Sequence, residues 1–172
     1  MANIKTEYAA SGALTITLTS LATSATLVAG QESTAVANTT TKYLDYLVAG
    51  KITTGTTPTA GVIEIWAYGS VEDTPTYPDV FDGTDSAETV TSRDILTAGL
   101  AWVATLVTDT TSDRTYWFGP VSLAGAFSRL YGGGLFVPKN WGIFVTHNTV
   151  AALNVTAGNH AAWQTGVYMT SV

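Results

Sequence analysis

Few groups in this chain could do chemistry, and their spacing limits what that chemistry could be. It has two histidines and no cysteine, which excludes thiolate nucleophiles, thiolate metal sites and disulfides. His147 (in Thr-His-Asn) and His160 (in Gly-Asn-His) lie in loop-like contexts. They lack the i, i+4 spacing of a helical zinc site and read as surface polar residues. No serine sits in a Gly-x-Ser-x-Gly elbow, so a Ser-His-Asp triad has no local scaffold. Gly132-Gly133-Gly134 lacks the Lys-Ser/Thr of a phosphate loop and reads as a bend before a strand.

The segment Asp79–Glu88, DVFDGTDSAE, is the densest group of ligating atoms. Asp79, Asp82 and Asp85 are the metal candidates, with Glu88 a further oxygen donor and Gly83 permitting a sharp turn. The spacing departs from the helix–loop–helix calcium pattern, and no helices flank it. The competing reading is a solvated acidic loop that exposes Tyr77, Asp79 and Asp82. A glycosidase pair would need one carboxyl buried to raise its pKa, and only Val80 and Phe81 are close in sequence to do that. Trp66, Tyr68, Tyr77, Trp102, Tyr116, Trp117, Trp141, Trp163 and Tyr168 could include a sugar-stacking platform; at strand positions such rings are usually packing. No enzyme and no cofactor are expected.

The elements that carry these residues read as strands. Ala13–Thr19 alternates Leu14, Ile16 and Leu18 against three threonines, the period of a half-buried strand. Thr41–Thr54 is apolar with an interruption at Ala49-Gly50 that predicts a bulge or bend. Gly61–Tyr68 alternates, with Glu64 expected on a solvent face or at an edge. Gly69–Val90 predicts a long surface loop, a length often functional. Strands are expected at Ile95–Leu100, Trp102–Thr108 and Thr115–Phe118, the last ending at Gly119-Pro120. More follow at Leu135–Val137, Trp141–His147, Ala151–Val155 and Gly166–Met169. One short helix is expected near 121–130. The fold class is therefore all-β, an antiparallel, jelly-roll-like β-sandwich. Residues 1–11 are expected as an extended arm and 12–172 as a single domain.

Charged residues make up only 12% of the 172 residues, and 31 threonines supply much of the polarity. Ile52–Ser92 holds seven carboxylates and no cation, whereas no acidic residue follows Arg114. Net charge −6 disfavours nucleic acid, and charge depletion is typical of the centre of protein interfaces. The N-terminal sequence lacks a basic region followed by an apolar run, so no secretory signal is expected. No apolar stretch approaches ~20 residues, so no membrane partner is expected.

Three groups of segments carry a resemblance. They are Gln31-Glu32-Ser33-Thr34 with Asn38-Thr39-Thr40 and Tyr43-Leu44-Asp45; Trp66-Ala67-Tyr68-Gly69-Ser70 leading to Tyr77-Pro78-Asp79; and Ser122-Leu123-Ala124 with Phe127, running through Leu135–Val145 to Asn148-Thr149 and Ala151-Ala152-Leu153. Together, over most of the chain from Leu14, they resemble a group of tailed-bacteriophage virion proteins that includes jelly-roll capsid cement or decoration proteins. The resemblance implies a particle-surface protein that forms a homodimer or homotrimer and clamps neighbouring major capsid subunits on the virion, after assembly in the host cytoplasm. Ile4, Tyr8, Arg129, Lys139 and Trp141 are the expected capsid or oligomer contacts. A phage head-fibre or tail domain that binds a receptor or carbohydrate is the alternative.

Overall fold

The computed structural model describes residues 3–132 and 134–171. Its strands are β1 (Ile4–Tyr8), β2 (Gly12–Leu14), β3 (Ala29–Glu32), β4 (Val36–Ala37), β5 (Asp45–Thr53), β6 (Gly61–Ser70), β7 (Ala87–Thr89), β8 (Ala101–Thr108), β9 (Thr115–Ser122), β10 (Asn140–His147) and β11 (Ala161–Ser171). Two helices, α1 (Arg93–Gly99) and α2 (Leu123–Tyr131), interrupt them. All strand pairs are antiparallel and fall into two sheets. In sheet A, β11 is flanked by β5 and then β9 on one side, and by β1 and β2 on the other. Sheet B runs β7-β3-β10-β6-β8, with β4 also on β10. Take β2, β3, β5, β6, β8, β9, β10 and β11 as eight strands in chain order. The first, eighth, third and sixth then form one sheet, and the second, seventh, fourth and fifth the other. That connectivity is a jelly roll.

Alternation explains the core. In β5, Tyr46, Val48, Gly50 and Ile52 point in and are buried, while Leu47, Ala49 and Lys51 are half-buried on the outer face. Leu14, Ile16 and Leu18 also alternate inward, although only Gly12–Leu14 is laddered. These side chains meet Ile63, Ile65 and Ala67 of β6 and Trp141, Ile143 and Val145 of β10. Helix α2 adds Leu123, Ala126 and Phe127. It starts where the Ser122 hydroxyl accepts the Gly125 N–H at 2.9 Å and stops at left-handed Gly132, a capping pattern local sequence can supply. The bulge expected near Ala49-Gly50 is present, and the extra residue lies across the ladder. Val48 pairs with Val121 and Gly50 with Phe118, so Gly119 and Pro120 oppose Ala49 alone.

Several expectations need correction. Ile95–Leu100 is mostly helix α1, which ends at Gly99, with Leu96 in the helix and Leu100 just after it both buried. Strand β9 runs through Gly119-Pro120 to Ser122. Leu135–Val137 and Ala151–Val155 form no ladder. The expected N-terminal arm is not free, because Ile4–Tyr8 pairs with Tyr168–Ser171 and Val167 of β11; Met1 and Ala2 lie outside the described residues. His147 is not in a surface loop. It ends the central strand β10 and is fully buried, with Nε2 3.0 Å from the Leu21 carbonyl and Nδ1 3.0 Å from Thr149 Oγ1. Burial pushes its pKa below the ordinary value. His160 is half-buried against the Asn154 carbonyl.

Candidate docking face and the acidic loop

The two sheets treat their outer faces differently. On sheet B the outward residues are Glu64, Trp66 and Tyr68 of β6 and Phe144 of β10, in register with one another. The chain covers them itself: Phe81 and Val90 from the long loop, Leu96 from α1 and Leu100 just after it close over Trp66, Tyr68 and Phe144. The Phe81 ring stacks on Tyr68 with centroids 4.6 Å apart. Glycine at 142 makes room for Tyr68, whose hydroxyl would sit 2.3 Å from a Cβ there and instead donates to the Ser33 carbonyl at 2.9 Å. Glu64 is thus not at a solvent edge. It is buried, pairs with Arg93 at 2.6 Å and accepts Trp66 Nε1–H at 3.0 Å.

Among the described residues, sheet A has no such cover. Residues paired across a ladder share a face, and register places Ile4, Thr6 and Tyr8 of β1 beside Ser171, Met169 and Val167 of β11. Further along β11, Thr165 and Trp163 stand beside Leu47 and Ala49 of β5, and Trp117 of β9 beside Lys51. Ile4 is 72% exposed, Tyr8 64%, Trp117 65% and Met169 61%. Trp117 and Trp163 reach toward each other over β5, stacked with centroids 6.3 Å apart. Two charged residues share this face, Lys51 beside Trp117 and Asp45 beside Val167 in the middle of the β11 row. Lys51 Nζ donates to the Gly158 carbonyl at 2.8 Å, and Asp45 accepts the Tyr46 and Ala124 backbone N–H groups. The face is stepped, because β5 flanks β11 only over Ala161–Val167 and β1 only over Val167–Ser171. Large exposed apolar side chains gathered on one sheet face make it a candidate interaction site.

The long loop does not assemble a metal site from Asp79, Asp82 and Asp85. Each carboxylate serves a threonine instead. Asp79 accepts the Thr91 N–H and hydroxyl, both at 2.7 Å. Asp82 accepts both from Thr84, which lowers its pKa. Asp85 accepts both from Thr17 and is 2.6 Å from Gln31 Nε2. Among the described residues no group of three or more His, Asp or Glu could hold a metal ion. Asp79 and Asp82 are exposed, as expected, whereas Tyr77 is half-buried, edge-on to Tyr68 at 5.2 Å.

The loop rests on a carboxyl that composition does not single out. Glu32 of β3 is fully buried; its Oε1 accepts the Asp82 N–H and the Ser86 hydroxyl, both at 3.3 Å. Its Oε2 has no partner among the described residues. Burial, reinforced by neighbouring Asp82, pushes its pKa above the ordinary 4.5. The folded state therefore holds this proton more tightly than the unfolded chain. The stability it contributes is present below about pH 4.5 and is lost as pH rises through the raised folded value. Glu32→Gln removes the titration and offers Asp82 an amide donor. The stability gained over wild type should grow from pH 4.5 toward neutrality, read by thermal melts across pH. A difference that stays constant with pH would refute this account.

The other expected contacts are scattered. Arg129 is exposed and lies over Trp102 at 5.1 Å, in a cleft between α1 and α2. Lys139 pairs with Asp73 beside a second apolar hollow formed by Val71, Phe136 and Pro138. Trp141 is wholly buried, which rules out surface contact in the folded chain. Inward-facing Tyr46 packs against it at 5.0 Å. Ile4 and Tyr8 do stand on the bare face. Comparison with protein-family models, curated proteins and solved structures gave no match. Trp117, Trp163, Val167 and Met169 complete the face, and the contacts expected from sequence omitted them. A period-two reading of Trp163-x-Thr165-x-Val167-x-Met169 would have found the β11 row. Among the described residues, no helix is long and apolar enough to cross a membrane.

Proposed function

We propose that this chain is a structural accessory protein of a bacteriophage capsid, of the cement or decoration kind. It oligomerises on the capsid exterior of the virion and stabilises contacts between major capsid subunits. The observation that carries this reading is the asymmetry of the sandwich. One sheet is sealed by the chain's own loop and helix, and the other leaves Ile4, Tyr8, Trp117 and Met169 exposed on its outer face. A shell-binding protein gains from that arrangement, because a rigid jelly roll holds a wide contact surface without ordering cost on docking. The resemblance in the segments around Gln31–Asp45, Trp66–Ser70 and Ser122–Val145 supports the same reading.

The second reading is a head-fibre or tail domain that binds a receptor glycan. The exposed Trp117 ring beside Trp163 favours it, since flat aromatic faces stack on sugars. Mixing the purified protein with capsids that lack it, then sedimenting, separates the two. The cement reading expects saturable recovery in the pellet. Protein that stays in the supernatant while binding host glycans overturns it in favour of the second reading.

A further inference from the structure

We infer that the cleft between α1 and α2 binds the carboxyl terminus of a peptide whose last residue is apolar. The cleft holds about 370 Å³ and opens to solvent beside the start of β8. Trp66 and Trp102 line it from the strands, Thr97 and Ala98 from α1, and Arg129 and Leu130 from α2. Its strands belong to sheet B, so it is separate from the bare face of sheet A.

Arg129 sets this cleft apart. The chain has seven Lys and Arg side chains and net charge −6, so carboxylates are plentiful. Lys5, Arg93, Arg114 and Lys139 sit in ion pairs, and Lys51 donates to a carbonyl. Arg129 has no ion pair or hydrogen bond among the described residues. Its guanidinium lies instead over the Trp102 ring at 5.1 Å. Helix α2 carries no acidic residue to neutralise it. A guanidinium resting on a ring keeps its in-plane fork of N–H donors for a planar acceptor, and a carboxylate matches that fork.

The rest of the lining decides what carries the carboxylate. The Trp66 indole N–H is committed to Glu64, that of Trp102 to Thr105, and the Thr97 hydroxyl to the Asp94 carbonyl. Among the described residues, Arg129 is thus the one lining side chain with unengaged donors. The hydroxyls of an acidic sugar would meet Ala98, Leu100 and Leu130 unpaired, which costs binding. A phosphate ester would bring a second negative charge to a single cation in an acidic protein. One carboxylate beside one apolar side chain satisfies both parts of the cleft. A chain-terminal apolar residue supplies the two within its own length, and the cleft suits a group of that size better than a long acyl chain.

Titration of the full chain with N-acetyl-leucine tests this. The readout is the Trp102 indole N–H in a nitrogen-edited NMR spectrum, assigned with Trp102→Phe. A saturable shift with a millimolar dissociation constant is expected. N-acetyl-leucinamide on wild type, and N-acetyl-leucine on Arg129→Gln, should each bind at least about tenfold more weakly, the loss of one charge-assisted pair. Ala98→Glu offers Arg129 a carboxylate from α1 and should abolish the shift. Arg129 and Ala98 are both exposed, so both variants should melt with wild type. No saturable shift with N-acetyl-leucine overturns the assignment. Equal binding of the acid and the amide would make the cleft an apolar hollow only, and unchanged binding in either variant would put the site elsewhere. Glucuronate or octanoate binding in place of N-acetyl-leucine would give the cleft to a sugar or a lipid. Each of these results also overturns it.

Discussion

Trp141→Ala should cost about 3–5 kcal/mol of folding stability, roughly 10 °C in melting temperature for a chain of this size. Trp141 heads the largest fully buried side chains and stands on the central strand of sheet B. Its ring packs against Tyr46 from the opposite sheet at 5.0 Å, so truncation opens a void between the sheets. Neighbours on both sheets are held by their ladders and can close it only in part. Trp141→Phe is the informative companion. It keeps most of the ring and removes an indole N–H that has no partner among the described residues. It should cost less than about 1.5 kcal/mol. Urea denaturation followed by fluorescence measures both. If the alanine variant melted with wild type, the ring would not be in the core and its assignment to a surface contact would return.

Arg93→Met should be nearly as damaging, at about 3 kcal/mol, because it strands Glu64 in the interior. Arg93 reaches from the first turn of α1 to both Glu64 oxygens at 2.6 Å, with the Leu27 carbonyl at 3.3 Å. Its guanidinium also lies over Trp66 at 5.6 Å. The bond thus fastens α1 over the outer face of sheet B, and its loss should raise binding of a hydrophobic dye as Trp66 and Phe144 become accessible. Adding Glu64→Gln should recover part of the stability, since a neutral amide no longer needs the cation. A double variant no better than Arg93→Met alone would show that lost packing, rather than the stranded charge, sets the cost. Chemical denaturation of the wild type, both single variants and the double variant gives the coupling.

Local rules carried much of the fold. Inward alternation in Leu14–Leu18 was legible because a half-buried sheet imposes period two on side chains. Helix α2 was legible from its apolar run between Ser122 and the glycines. α1 was not, since the six residues Ile95–Leu100 are too few for their pattern to separate a helix from a strand. Strands β6 and β10 hid their environment for another reason. Both of their faces are covered, so Glu64 and His147 looked solvent-facing by residue type while packing placed them inside. The acidic loop showed its composition but not its role. Its aspartates are 12 residues from Thr91 and 68 from Thr17, and pairing at those distances is invisible to spacing.

By itself, the sequence determined a cysteine-free, charge-poor, all-β chain whose carboxylates are concentrated before Arg93. These are properties of composition and local period, and they need no partner elsewhere in the chain. Only the tertiary structure decided which sheet face is sealed and which is bare. That outcome depends on where the loop and α1 pack, which is set by contacts between residues tens of positions apart. The same long-range pairing sets Ile4 and Tyr8 beside Val167, Met169 and Ser171, turning the two ends of the chain into one side of a candidate interface.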